Sequence, residues 1–325
     1  MSSIADWTIP PDAQPKPDDY GFDLDRALNA VVSVRANIPD DAFTAEVLGT
    51  ERAGNGVVIR SDGVILTIGY LIVEAESVWI HLADGRLVPG HVLAYDAETG
   101  FGMVQALARL DLPALPLGST ASAGVGDPVV AAGAGGRAHS VAARLLAKQE
   151  FAGYWEYVLD EALFTGPAHP LWGGSALIGA GGDLLGIGSL QLQRTGRGGR
   201  AEDINMYVPI DLLRPIQEDM MTRGRAIRPP RPWLGLYATE LEDRVVVAGL
   251  ASNAPAKAAK LKTGDIVLSV AGEEVHDLAE LWRRIWSLGE AGVEVPLLVY
   301  RDGRAMEVRV ASADRQKFLK GPRLQ

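Results

Sequence analysis

The sequence contains no cysteine. Disulfide frameworks, thiol nucleophiles and cysteine-based metal sites are therefore excluded. It has no run of about 18 apolar residues, so no segment reads as a membrane-spanning helix, and no membrane partner is expected. Positive charge is in the minority: 31 Lys and Arg face 41 Asp and Glu, a net charge of −10. A chain this acidic is a poor general binder of nucleic acid, and no nucleic-acid partner is expected. Residues 1–7 have neither the basic start nor the apolar stretch of a secretory signal, so the cytoplasm is the expected compartment. Aromatic residues make up only 6%.

What is present points to a folded, turn-rich chain. With 325 residues it fits two or three domains. Hydrophobic residues reach 47%, enough apolar surface to bury, which rules out disorder throughout. The 37 glycines and 19 prolines favour short strands joined by turns.

Residues 1–26 carry six Asp against one Lys, with four prolines, and read as a flexible acidic leader. The competing reading is an arm that orders in an oligomer, anchored by Tyr20 and Phe22. Residues 27–38 fit a short helix or a strand. Beyond them, short apolar segments alternate with turns such as Ser61-Asp62-Gly63 and Ala83-Asp84-Gly85. A spacing of roughly 8–12 residues predicts an all-β barrel or sandwich. A helix is expected over 211–223, with Asp211 as N-cap. The Arg- and Pro-rich residues 225–232 read as a linker. In the next segment Leu278, Leu281, Trp282, Ile285 and Trp286 recur at helical spacing, predicting an amphipathic helix over 277–288 in an α+β module of about 80 residues. Residues 313–325 read as a basic tail.

Several motifs are quoted together for their order and spacing. They are Gly54-Asn55-Gly56-Val57-Val58 with Gly63-Val64-Ile65-Leu66-Thr67, Leu82-Ala83-Asp84-Gly85-Arg86 leading to Tyr95-Asp96, and Gly173-Gly174-Ser175-Ala176-Leu177 with Gly182-Asp183-Leu184-Leu185-Gly186-Ile187. To these the C-terminal part adds Trp233-Leu234-Gly235-Leu236 and the 261–266 turn. With them the chain resembles the HtrA family, residues 44–215 its chymotrypsin-like protease domain and 233–312 its PDZ domain. The resemblance implies a mainly β fold: a chymotrypsin-like double β-barrel followed by a small α+β PDZ domain. The expected division is a leader over 1–26, a trypsin-like domain over 27–224, a linker, a PDZ domain over 233–312 and the tail.

The family's chemistry needs a serine nucleophile, a histidine base and an orienting aspartate. Carried over one at a time, the positions are all altered. The histidine position, two residues after Leu66-Thr67-Ile68, holds Tyr70, whose ordinary pKa near ~10 makes it a poor base at neutral pH. The aspartate position, four residues beyond Asp96, holds Gly100. Counting back without gaps from Gly186-Ile187 puts the serine position at Gly173; one inserted residue would put it at Trp172. Trp172 and Pro170 are also expected to alter the turn that would bind an oxyanion. The expectation is thus a catalytically inactive HtrA-like protein acting as a peptide-binding, scaffold or chaperone-like protein.

The rival is an active serine endopeptidase with a displaced nucleophile, Ser175, served by His169 as base. His81 and His91 fall in predicted strands, and no His or His/Asp spacing suits a metal. No metal or cofactor is expected. The PDZ-like part keeps what such modules use to bind a peptide as an added strand with its C-terminal carboxylate on a loop. Leu234, Gly235 and Leu236 are the candidate carboxylate loop, and Leu281 and Ile285 the candidate side-chain pocket, unless those two serve only the core. The partners implied are peptide or protein C-termini, with a homotrimer or a mixed oligomer with an active relative as the assembly.

Overall fold

The computed structural model describes residues 7–196 and 199–321. Contacts divide it into two units. One takes in the described residues up to Gln149, Glu161–Ile227 and Gly321; the other holds Glu150–Asp160 and Arg228–Lys320.

The first unit contains two closed antiparallel barrels, except for the ends of two strands that fall within Glu150–Asp160. Strands β1 (Val31–Asn37), β2 (Glu51–Val58), β3 (Val64–Ile68), β4 (Ser77–His81), β5 (Leu87–Tyr95) and β6 (Phe101–Ala106) close in the order β1-β2-β3-β6-β5-β4. Strands β7 (Pro128–Ala132), β8 (Ser140–Ala152), β9 (Val158–Gly166), β10 (Ala176–Ile178), β11 (Leu184–Thr195) and β12 (Ala201–Pro209) close in the order β10-β11-β12-β9-β8-β7. Closure removes exposed sheet edges and lets short apolar runs such as Val64-Ile65-Leu66-Thr67-Ile68 bury every side chain. Gly56 marks a close approach: a Cβ there would stand 2.6 Å from Ile65 and 2.9 Å from Val34.

Several expectations need correction here. From Trp7 onward the N-terminal segment is not a free leader. Ile9 is buried in the second barrel's core, its N–H donates to the Ala138 carbonyl at 2.8 Å, and Trp7 packs beside it. Tyr20 and Phe22 meet at 5.5 Å, and Phe22 covers Gly182 of the same unit. Residues 1–6 lie outside the described residues. Next, residues 27–38 split between helix α1 (Leu24–Leu28), capped by Asp23, and strand β1. Helix α2 (Ala45–Leu48) follows.

The third correction concerns 211–223. Only α3 (Gln217–Arg223) is α-helical; Ile210–Leu212 is a single 3-10 turn. Pro215 cannot donate to a helix ladder, and Asp211 spends its carboxylate on the Thr120 N–H, 2.7 Å away.

The second unit is built on a sheet in the order β13-β14-β15-β17-β18, with β16 paired to β15. The strands are β13 (Leu236–Leu241), β14 (Arg244–Leu250), β15 (Ile266–Val270), β16 (Glu273–Glu274), β17 (Glu294–Arg301) and β18 (Arg304–Ala311), with helices α4 (Pro255–Ala258) and α5 (Leu278–Ser287). The apolar stripe of α5 is buried as its spacing requires, Leu281, Trp282 and Ile285 completely. Asp277 caps α5 by accepting the Glu280 N–H at 2.7 Å, and Glu280 reaches back to the His276 N–H. Residues 313–320 are not a free tail: Trp233 and Ala313 exchange backbone hydrogen bonds, and Phe318 packs on Trp233 at 4.8 Å. Nor are 228–232 a bare spacer, since the Arg231 guanidinium lies 4.3 Å over the Trp286 ring.

Candidate functional site

In the first unit the 3-10 turn after β3 carries Tyr70, and the loop before β10 carries Gly173. The fold brings them together. A Cβ on Gly173 would stand 2.8 Å from the Tyr70 hydroxyl. That hydroxyl donates to the Ser189 carbonyl at 3.0 Å and lies beside the Trp172 side chain. Burial raises the Tyr70 pKa above its ordinary value, with the Trp172 contact opposing, so the phenol stays protonated. Trp172 is half-buried rather than turned out to water.

Gly100 adjoins the same turn: its carbonyl accepts the Gly69 N–H at 2.7 Å. It has φ +84°, in the left-handed region that favours glycine. The nearby carboxylate, Asp96, is buried and turned to its own loop, accepting the Thr99 N–H and hydroxyl.

Neighbouring residues that sequence reasoning did not single out hold this arrangement. Asn55 on β2 donates to the Leu171 carbonyl at 2.8 Å and accepts the Ala134 N–H at 2.9 Å. Arg52 lies buried under the tyrosine turn, donating to the Tyr70 and Val73 carbonyls and the Thr44 hydroxyl. Burial pulls its pKa down, while Glu74 opposes that shift. Both residues sit on the strand that opens the first quoted motif, but neither is distinguishable there by residue type alone.

Ser175 and His169 are both fully buried, and no hydrogen bond joins them. The Ser175 hydroxyl donates to the Trp172 carbonyl at 2.8 Å and meets the Tyr207 hydroxyl at 3.3 Å. Burial pushes the Tyr207 phenol up to about 12, with Ser175 and Thr165 opposing. His169 has both ring nitrogens engaged: Nδ1 accepts the Leu171 N–H at 3.0 Å, and Nε2 lies 2.8 Å from the His139 carbonyl. An Nδ1 that accepts requires Nε2 to carry the proton. Burial holds the His169 pKa below its ordinary value, favouring this neutral form. His169 is therefore tied to the loop backbone, away from the base role considered for it.

The second unit presents a different chemistry. The N–H groups of Leu234, Gly235 and Leu236 all donate to one carboxylate, that of Glu156, at 3.0, 2.7 and 3.2 Å to Oε1. Gly235 has φ +70°, and a Cβ on it would come within 2.2 Å of Ala254. Successive N–H groups around such a residue converge into an anion-binding nest. Leu281 and Ile285 are fully buried in the same cluster as Val158 of the β8–β9 hairpin. Glu156 was not foreseen. The available signal was its setting: Phe151, Tyr154, Trp155 and Tyr157 crowd one hairpin in a chain with 6% aromatics.

Two family models match the chain, a trypsin-like peptidase domain over residues 54–187 and a PDZ domain over 232–311. The chain is a homologue of the HtrA proteases, with a trypsin-like peptidase domain followed by a PDZ domain. It is 26% identical over 274 residues to a probable periplasmic serine endoprotease DegP-like of Pseudomonas fluorescens, covering 79% of this chain but 55% of that relative. A DegP-like relative of Halomonas elongata is 28% identical, with 82% and 58% covered. The serine endoprotease DegS of Salmonella typhimurium is 24% identical, with 90% of this chain and 85% of DegS covered. The chain thus spans little more than half the length of the DegP-like relatives. Among solved structures, the HtrA-type protease AlgW with tripeptide aligns at TM-score 0.52 and 21% identity, covering 92% of this chain and 96% of that one. A serine endoprotease from Yersinia pestis aligns at 0.52 and 23%, covering 89% and 95%. These show the fold: mainly β, a trypsin-like domain followed by a PDZ domain.

The comparison overturns the cytoplasmic expectation. The DegP-like relatives, similar across most of this chain, are named periplasmic. The opposite argument rested on the character of the first seven residues alone, and it does not outweigh homology across most of the chain.

Proposed function

We propose that this HtrA homologue is catalytically inactive and works by binding peptide or protein C-termini through its PDZ domain. One observation carries the reading: the Tyr70 hydroxyl fills the space into which a side chain on Gly173 would project. A triad needs three side chains in register. Here the nucleophile position has none, the base position holds a buried phenol with a raised pKa, and the orienting position is a left-handed glycine.

The oxyanion hole of this fold uses the N–H of the nucleophile residue and of the residue two before it. The latter corresponds to Leu171, whose N–H is spent on His169 Nδ1. That bond supports the same reading. The binding half rests on the 234–236 nest, which already holds a carboxylate. The domain cores proposed are 27–224 and 233–312, with residues 7–26 packed onto the first and 313–320 onto the second. A homotrimer, or a mixed oligomer with an active relative, completes the reading and is tested by light scattering and co-purification.

The test of inactivity is cleavage of unfolded casein by the purified full chain, with Ser175→Ala and His169→Ala alongside. No cleavage above buffer in any of the three is expected. Cleavage that disappears in Ser175→Ala would replace this reading with the displaced-nucleophile enzyme.

A further inference from the structure

The PDZ unit is not empty of ligand-like contacts. Its edge strand β13 pairs with β14 on one side, and the other side is taken by the chain itself. Trp155 bridges Tyr237 in antiparallel sense, and the Ala238 N–H donates to the Tyr154 carbonyl at 2.7 Å. From α5, the Trp282 indole N–H donates to the Gly153 carbonyl at 3.0 Å. Residues 153–156 therefore lie between β13 and α5, run antiparallel to β13, and end with a carboxylate on three consecutive N–H groups. Antiparallel addition to a sheet edge, finished by a carboxylate in a backbone nest, is how an extended peptide is recognised.

The contacts around this segment hold it in place. Arg283 on α5 pairs with Glu150 and Asp160, which flank the hairpin tip on either side. Trp155 stacks on Tyr157 at 5.4 Å, and Tyr154 meets Tyr237 at 6.0 Å. Val158 completes the apolar cluster that includes Leu281 and Ile285. The nest and the sheet edge are the features a partner's C-terminus needs, and both are engaged.

We infer that residues 153–156 are a ligand built into the chain, occupying the PDZ carboxylate loop, and that a partner's C-terminal carboxylate gains the loop by displacing Glu156. This rests on the peptide-binding reading above and adds to it: the ligand that sets the apparent affinity is the protein's own hairpin. A site open only part of the time binds with its affinity reduced by the open fraction. A partner must therefore supply both the carboxylate and the strand pairing that Tyr154 and Trp155 now make.

The experiment uses the full chain and the synthetic peptide Lys-Gln-Glu-Phe-Ala-Gly-Tyr-Trp with a free C-terminus. It copies residues 148–155 and ends in a carboxylate where Glu156 brings one. Affinities are measured for the wild type and Glu156→Ala, with the C-terminally amidated peptide as control, and amide exchange is followed in the wild type. The expected result is binding to Glu156→Ala about tenfold or more tighter than to wild type and lost on amidation. Saturating peptide is also expected to accelerate exchange at 153–156 in the wild type while 234–236 stay protected.

Equal affinity for both proteins, with unchanged exchange at 153–156, overturns the built-in ligand and leaves the peptide-binding reading standing. Binding to neither protein, with Glu156→Ala retaining the wild-type melting transition, overturns the peptide-binding reading itself. Should Glu156→Ala fail to fold, the exchange measurement on the wild type decides: peptide that binds without freeing 153–156 contradicts displacement.

Discussion

On the inactive, peptide-binding reading proposed above, the two sites of this chain have diverged in opposite ways. At the barrel site the positions expected to carry the reactive side chains hold Tyr70, Gly100 and Gly173, which occupy neighbouring turns, with a phenol beside the glycine at 173. At the PDZ site the backbone donors themselves are the chemistry, and all three are retained and engaged by Glu156. A catalytic site made of side chains is lost by three substitutions. A binding site made of main-chain N–H groups persists as long as its one left-handed glycine does. Fold alone therefore says little about activity here, and the two sites must be read separately.

The sharpest way to break the contrast is at Gly235. Gly235→Val places a branched side chain at φ +70° and drives a Cβ into Ala254. The expected cost is about 3 kcal/mol, from backbone strain and overpacking together. Denaturant unfolding of the full chain reads the cost, and amide exchange at 153–156 should show the hairpin released. Unchanged exchange would mean that the nest does not hold the hairpin.

The barrel site is probed by a cycle. Gly173→Ser should destabilise by about 1–2 kcal/mol because the new side chain meets the Tyr70 hydroxyl. In a Tyr70→Phe background the same change should cost less, a coupling of about 1 kcal/mol. Additive costs would show that the hydroxyl does not occupy the nucleophile's space. Neither variant should hydrolyse casein.

The third prediction concerns pH. Burial pushes the Glu156 carboxyl up from 4.5 to about 7, against the opposing N–H bonds of Leu236, Leu234 and Gly235 and the charge of Arg315. The docked hairpin therefore binds a proton more readily than the released one. Docking is strongest below the ordinary carboxyl range and weakens as pH rises through about 7. Without added peptide, opening at 153–156 should rise about tenfold or more between mildly acidic and mildly alkaline solution. It is read by amide exchange corrected for the intrinsic pH dependence. Glu156→Gln should flatten the profile, and a wild-type profile that is already flat would remove the titration.

The smallest effect is expected at Arg283, whose ion pairs with Glu150 and Asp160 are substantially solvent-exposed. Arg283→Ala should loosen hairpin docking by only about 0.5 kcal/mol, a roughly twofold change in opening. A larger change would move the main anchor from the carboxylate nest to this clasp.

Much of the barrel site was legible in the sequence because its anchors are local. Leu66-Thr67 fixes the turn that carries Tyr70, and counting back from Gly186-Ile187 reaches Gly173. The structure places these two positions side by side. The α5 stripe was legible for a similar reason, since Leu281 and Ile285 follow helical spacing. What escaped depends on contacts between distant parts of the chain. Glu156 and Leu234 are 78 residues apart, and Asp211 and Thr120 are 91 apart. No local pattern marks either pair, so Asp211 read as a helix cap and Glu156 was not singled out. The acidic, Pro-rich composition near the N-terminus likewise concealed Ile9, a single apolar residue that the second barrel buries.

The most direct test of the claim that chemistry is gone while the scaffold remains is labelling with a fluorophosphonate, followed by intact mass and peptide mapping of the full chain. An activated serine would become covalently phosphonylated. The expected result is an unmodified chain under conditions that label an active trypsin-like protease to completion. A stoichiometric adduct on Ser175, or on any other serine, would contradict it.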